Sequence, residues 1–332
     1  MKKILFPTFV LMVMAACGGG GGTNSEDSSN PMAGVYMSGA SSSDVTANAL
    51  VWKDGDVTLL EASAVSTSVF VTDDNVYMSG IYVDGVKDKP CYWQGETKTN
   101  LDVPAADEGF TTSIYVSGSD IYVAGYYDNS GNDTACYWKN GVKVDLGEGQ
   151  AQSIFIYEGS IYVAGYDDAN KAAYWKDGVK VGLSAFVSVA YDIEVVNGDV
   201  YVAGTVLNGN TYAVYWKNGV ITELTDGATD AFASSIAVYG SDVYVSGQYQ
   251  DYSKVGYWKN DQAGIVNLST GSYVPMDSLV LLSMPKIFIN DGDIYVTAAL
   301  GADPNDATVG GYWKNGEFST PTGGIYSSIF VK

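Results

Sequence analysis

Any chemistry in this chain has to be done without imidazole or guanidinium, because the sequence holds no histidine and all 17 of its basic residues are lysine. The commonest general base, the commonest metal ligand and the planar fork that grips carboxylates and phosphates are therefore missing. Ser-His-Asp hydrolysis, His-ligated iron, zinc or copper, and Arg-clamped acidic sugars are excluded together. Asp, Glu, Tyr, Lys and the main chain remain. Three acid-rich runs stand out: Asp128-Asn129-Ser130-Gly131-Asn132-Asp133, Asp167-Asp168-Ala169-Asn170 and Asp303-Pro304-Asn305-Asp306. Hard oxygen donors on turn-rich backbone suit calcium, the one cofactor this pattern admits, with Asp128 and Asp133 as its candidate ligands. None of the runs has EF-hand spacing, and Asp/Asn-rich turns are also ordinary hairpin chemistry. Two carboxylates at a suitable separation would suffice for glycoside hydrolysis, but the sequence does not pair its many acids, so no catalytic residue is assigned.

Aromatic faces bind sugars and cations. Tyrosines outside the repeated pattern described below, Tyr127, Tyr252 and Tyr273, therefore join Asp128, Asp133, Asp167, Asp168, Asp251, Asp303 and Asp306 as candidate ligand-binding loop residues. With 38 acidic residues against 17 lysines, the net charge of −21 repels phosphate backbones and anionic headgroups. Nucleic acid is not an expected partner.

The elements that must position these residues begin after an address. Met1-Lys2-Lys3, an apolar stretch from Ile4 to Met14 and then Ala15-Ala16-Cys17 form a charged, an apolar and a small-residue region in secretory order. The apolar stretch is too short to span a bilayer. Met14-Ala15-Ala16-Cys17 resembles the lipobox of bacterial lipoproteins, with Met where Leu is usual. The resemblance implies that residues 1-17 are a signal and that Cys17 carries the lipid. Gly18 after it implies the outer membrane of a Gram-negative bacterium, on its periplasmic or surface-exposed face, with the membrane contacted only through the anchor. Residues 18-33, glycine-rich and polar, read as a flexible tether.

From residue 34 to 332 one pattern recurs. All seven tryptophans, Trp52, Trp93, Trp138, Trp175, Trp216, Trp258 and Trp313, share a context in which most precede Lys-Asn-Gly or Lys-Asp-Gly. A second anchor, Val76-Tyr77-Met78-Ser79-Gly80, returns at Ile121, Ile161, Val200 and Val243, more loosely at Ile294, and also at Val35. A third anchor, Val69, Ile114, Ile154, Ile193, Ile236 and Ile287, precedes the second anchor's tyrosine by eight residues each time. The steps between third anchors, 45, 40, 39, 43 and 51 residues, are the period of a four-stranded propeller blade. The Asn-Gly and Asp-Gly pairs after Trp predict tight hairpins, because both positions tolerate positive φ. The aligned Tyr-Trp stripe is expected to pack between blades. Cys91 and Cys136 occupy one slot in neighbouring units, about 10 Å apart if the sheets pack face to face, so they are expected as buried free thiols.

The chain ends Tyr326-Ser327-Ser328-Ile329-Phe330-Val331-Lys332, a first strand without a second, and residues 34-39 supply a second strand without a first. The expectation is an all-β fold: a seven-bladed β-propeller of four-stranded antiparallel blades, closed by pairing of the C-terminal strand with the N-terminal strands. The pattern resembles repeat propellers of the broad WD40-like and kelch-like kind, without the signature residues of either, so the resemblance implies architecture alone. The irregular connection Asn267-Pro285, containing Tyr273, is either a loop packed over a channel end or a binding loop. The expected function is that of a monomeric, non-catalytic binding module of the cell envelope, engaging protein or glycan through variable loops on one face. The alternative is a carboxylate-dependent glycoside hydrolase or lyase at the propeller mouth.

Overall fold

The computed structural model describes residues 32–42, 47–104, 107–129, 131–252, 254–260, 265–268, 284–300, 309–319 and 325–332. The signal with Cys17, the tether up to residue 31, most of the 267–285 connection with Tyr273, and the run containing Asp303 and Asp306 lie outside the described residues. Every regular element among the described residues is a strand.

The strands pair as antiparallel four-strand units. In chain order of their inner strands these begin with Ala64–Val71, Gly109–Ser117, the second half of Val142–Tyr157, Ser188–Val196, Phe232–Tyr239, Lys286–Asn290 and Ile325–Val331. The last of these pairs with Val35–Ser42, Val331 opposite Val35 and Ile329 opposite Met37, and that sheet continues through Ala47–Lys53 to Asp56–Ala62. Each inner strand contacts the inner strand of the next unit, and Ile325–Val331 contacts Ala64–Val71. The architecture is a β-propeller.

The local chemistry of each unit explains its sequence pattern. The predicted hairpins after Trp have both central residues at positive φ, as in Asn140 (51°) with Gly141 (81°) and Asn218 (51°) with Gly219 (80°), matching a type I′ turn. The same Asn side chain spans two turns. Asn140 Oδ1 accepts the backbone N–H of Ile121 at 2.8 Å while its Nδ2 donates to Asp120, whose carboxylate also meets Lys139 at 2.8 Å. Lys139 in turn lies over the Tyr122 ring, 5.2 Å from its centroid. The clasp recurs as Asp199, Lys217, Asn218 and Tyr201, as Asp242, Lys259, Asn260 and Tyr244, and as Asp293, Lys314, Asn315 and Tyr295. Lys-Asn-Gly is thus both a turn signal and a clasp at the short-turn face.

All seven tryptophans are buried, between 0% and 5% exposed, within clusters that join one unit to the next. Trp175 packs with Tyr122, Tyr137 and Ile154, for example, and Trp216 with Tyr162 and Ile193. Cys91 and Cys136 are buried free thiols, and burial pushes both well above the usual thiol range.

Two features depart from the expected four separate strands. The fourth strand of one unit and the first of the next run on as Val142–Tyr157, which merges two units into a seven-stranded sheet. The bend between them falls at Gly147 (φ 107°) and Gly149 (φ 128°), conformations that side chains strongly resist. In addition, the inner strands carry a β-bulge whose extra residue is Thr67, Thr112, Gln152, Tyr191, Ser234 or Ser327. The bulge drives an inner-strand carbonyl onto the next strand, where a Cβ at Gly125 would collide with the Phe110 oxygen and one at Gly165 with the Gln150 oxygen. This close approach accounts for the glycine that ends each Tyr-Val-Ala-Gly.

Candidate functional site

The inner strands line one axial cavity of about 270 Å3. Each enters from a between-unit connection and leaves by a short turn, so residues early in the strand lie toward the variable-loop face. Taking the Val/Ile anchor as origin, two layers of side chains face the cavity on either side of it, as alternation along a strand requires.

The layer just before the anchor consists of Ser68, Ser113, Ser153, Asp192, Ser235, Lys286 and Ser328. These side chains stitch one inner strand to the next. Ser68 Oγ accepts the N–H of Ile114 and Ser113 Oγ that of Ile154, both at 3.4 Å. Asp192 does the same with the N–H of Ile236 (3.1 Å) and also accepts the hydroxyls of Ser153 (2.7 Å) and Ser235 (2.6 Å) and the N–H of Ile193 (3.0 Å). Four donors from three successive strands therefore converge on one carboxylate. Lys286 reaches the Ser234 carbonyl at 3.5 Å, toward the loop face.

The layer just after the anchor is an aromatic collar. Phe288, Phe330, Phe70, Tyr115 and Phe155 follow one another with ring centroids 4.8–5.0 Å apart. The two remaining positions hold Glu194 and Ala237. Glu194 Oε2 accepts the N–H of Val238 at 2.8 Å. Burial, opposed by that hydrogen bond and reinforced by Asp192, pushes its carboxyl up to about 8. Burial, with Glu194 adding to it, also raises the Tyr115 phenol.

At the loop-face end, an arc of aromatic side chains is drawn from four consecutive units, in two ring-contact groups with Tyr166 between them. Phe110 stacks on Tyr126 at 5.1 Å, Tyr191 lies 6.1 Å from Phe232, and Phe232 lies 5.6 Å from Tyr252. Burial, with Asp133 and Tyr126 nearby, raises the Tyr166 phenol between these groups. Asp133 accepts the Gln150 amide at 2.6 Å, and Gln152 donates to Gln150 at 3.0 Å. Burial raises the carboxyls of Asp133 and Asp88, helped by the charges of Asp128 and Glu108 respectively.

Of the candidate residues chosen from sequence, Tyr252, Asp133 and Asp251 belong to this end. The Tyr252 hydroxyl bonds Thr211 at 2.6 Å, and Asp251 accepts the N–H of Asp230 at 3.1 Å. Tyr127 is not a surface platform: it is 5% exposed in the cluster around Trp138, with Lys143 Nζ 3.7 Å from its ring centroid. Asp128 and Asp133 are register partners across a hairpin, and Asp128 caps the N–H of Gly131. Among the described residues no group of three or more His, Cys, Asp or Glu is placed to hold a metal ion. Asp167 serves its own turn, accepting Lys180 at 2.9 Å and the N–H groups of Ala169 and Lys171, while Asp168 is exposed. Although burial opposes it, those bonds hold the Asp167 carboxyl below its usual range.

Asp192, Glu194, Lys286 and the collar were not selected from sequence. Their signal was nonetheless available in the residues flanking each anchor, where Ser-Ile-Phe at 153–155 becomes Asp-Ile-Glu at 192–194.

No family model and no curated protein matches the sequence. Among solved structures, TolB from Acinetobacter baumannii is similar with a TM-score of 0.52 at 10% identity, over 89% of this chain and 66% of TolB. Pyrococcus horikoshii acylaminoacyl peptidase gives 0.49 at 12% identity over 87% of this chain, which spans 50% of that protein's length. A thermostable family-43 glycoside hydrolase gives 0.39 at 11% identity, over 68% of this chain and 96% of that one. The likeness to TolB is one of propeller fold.

Proposed function

We propose that this chain is a seven-bladed propeller, closed by the strand at 325–331 and lipid-anchored through Cys17 at the outer membrane, that binds glycan through its variable-loop face without catalysis. The carrying observation is the arc of Phe110, Tyr126, Tyr191, Phe232 and Tyr252 at the loop-face end of a cavity lined by serine hydroxyls. Aromatic faces beside amide, hydroxyl and carboxyl groups suit neutral polyhydroxylated ligands. The hydrolase or lyase alternative draws on Asp192 and the raised carboxyl of Glu194 two residues along. Against it, Asp192 already accepts four hydrogen bonds from the protein, leaving little capacity for a water or substrate.

A glycan array probed with and without calcium tests the ligand class, with Tyr126→Ala and Phe232→Ala as variants. Retention of specific glycans by the wild type and their loss in both variants is expected. Release of reducing sugar would favour the hydrolase, and capture of no glycan would overturn the reading. Ring closure predicts insoluble protein on deletion of 325–332; a soluble monomer with unchanged melting temperature would refute it. Anchoring predicts that radiolabelled palmitate enters the wild type and not Cys17→Ala.

A further inference from the structure

The collar combines features that packing alone does not require. Five aromatic rings form an unbroken chain around the axis, and the circle is completed by a carboxylate and the smallest side chain in the layer, Ala237. All five rings and Glu194 are partly exposed to the cavity. An aromatic residue in place of Glu194 would continue the pattern at no desolvation cost; a carboxyl among aromatic rings instead loses hydration and regains one backbone N–H. Only Oε2 is engaged among the described residues. Among the described residues the one lysine lining the cavity, Lys286, belongs to the other layer and directs its ammonium to the Ser234 carbonyl, toward the opposite end. Among the described residues, therefore, no cation neutralises the collar.

We propose that the collar is a binding site for an organic ammonium group, which would sit beside Ala237 against Glu194 and the rings of Tyr115 and Phe155. Aromatic rings attract cations through their quadrupoles, most strongly where water is excluded, and the carboxylate supplies the countercharge. The site is separate from the loop-face arc and does not depend on the glycan reading, since it lies on the short-turn side of the anchor. The titratable groups that line the cavity with Glu194 are Asp192 on its own strand, which raises its carboxyl, Tyr115 from Gly109–Ser117 and Lys286 from Lys286–Asn290. Bound cation must displace a proton from Glu194 below a pH of about 8, so affinity rises with pH up to that value and levels off above it.

Isothermal titration of the full chain with choline, and with its neutral isostere 3,3-dimethylbutan-1-ol, tests the proposal without any variant. Saturable choline binding, absent or at least about tenfold weaker for the isostere, is expected. Glu194→Gln should weaken choline about tenfold and abolish the pH dependence, while Ala237→Phe should remove binding by filling the gap. Melting temperatures of both variants near that of the wild type separate loss of the site from loss of the fold. Equal binding of choline and the isostere, full affinity in folded Glu194→Gln, or no saturable choline binding would each overturn the proposal.

Discussion

Two inner strands of this propeller occupy equivalent places and behave differently. In Val142–Tyr157 the residues around the anchor are Ser153, Ile154 and Phe155; in Ser188–Val196 they are Asp192, Ile193 and Glu194. Ser153 reaches one neighbour, whereas Asp192 gathers donors from strands on both sides. Phe155 continues the collar at 5.0 Å from Tyr115, whereas Glu194 interrupts it and reaches across to Val238. Around the anchor the strand pairing and the bulge are the same in both, so two side chains suffice to turn a repeated wall into a site with polarity. A repeat protein can thus place a unique chemical feature on its axis by altering the residues beside one anchor, at a register the other units hold fixed.

Exchanging residues between the two strands tests this comparison. The largest effect is expected for Phe155→Glu, which buries a second carboxylate in the collar and removes the Tyr115 contact. Urea denaturation at neutral pH should register a loss of roughly 3–5 kcal/mol, shrinking as the new carboxyl is protonated at low pH. A loss under about 1 kcal/mol would mean that the collar is wet enough to hydrate charge.

Asp192→Ala comes next. It strands two hydroxyls and two N–H groups, and a loss of roughly 2–4 kcal/mol is expected from the same measurement. Asp192→Ser, which restores the residue of all the other units except the one with Lys286, should recover part of it; no difference between the two variants would deny Asp192 its bridging role.

Glu194→Gln is expected to change the pH profile more than the stability at any one acid pH. The Glu194 carboxyl titrates near 8 in the folded chain, above its unfolded value, so the folded state binds the extra proton between the two. Its contribution is fully present below the unfolded value of about 4.3 and is lost as the pH rises through about 8. Unfolding free energies measured from about pH 5 to 9 should therefore fall with rising pH in the wild type and fall less in Glu194→Gln, with a gap on the order of 1–3 kcal/mol at the alkaline end. Parallel profiles would contradict the assignment.

The smallest effect is expected at the short-turn clasp, where the units agree with one another. Lys217→Ala removes an exposed ion pair with Asp199 and a cation–π contact with Tyr201, and the melting temperature should move by no more than about 2 °C. A larger drop would make the clasp, and not the axis, the dominant tie between strands.

Much of the framework was legible in the chain because its signals are local and repeated. The Lys-Asn-Gly turns, the Tyr-Val-Ala-Gly strands and the buried Trp register depend on contacts within a hairpin or between repeated neighbours, so each copy corroborates the rest, and the long-range terminal pairing was legible because each end holds part of one such repeat. The burial of Tyr127, a candidate loop residue by sequence, was not legible for the converse reason: it depends on Lys143 and the Trp138 cluster, which a loop-adjacent position in sequence does not reveal.

The sequence alone determined the strand pattern, the absence of His and Arg chemistry, and the free thiols, since these follow from residue type, spacing and fixed strand geometry. Only the tertiary structure decided that Asp192, Glu194 and five aromatic rings share one axis. They come from strands as far apart as Phe70 and Phe330, and the curvature that brings them together belongs to the sheets acting together and to no one segment of the chain.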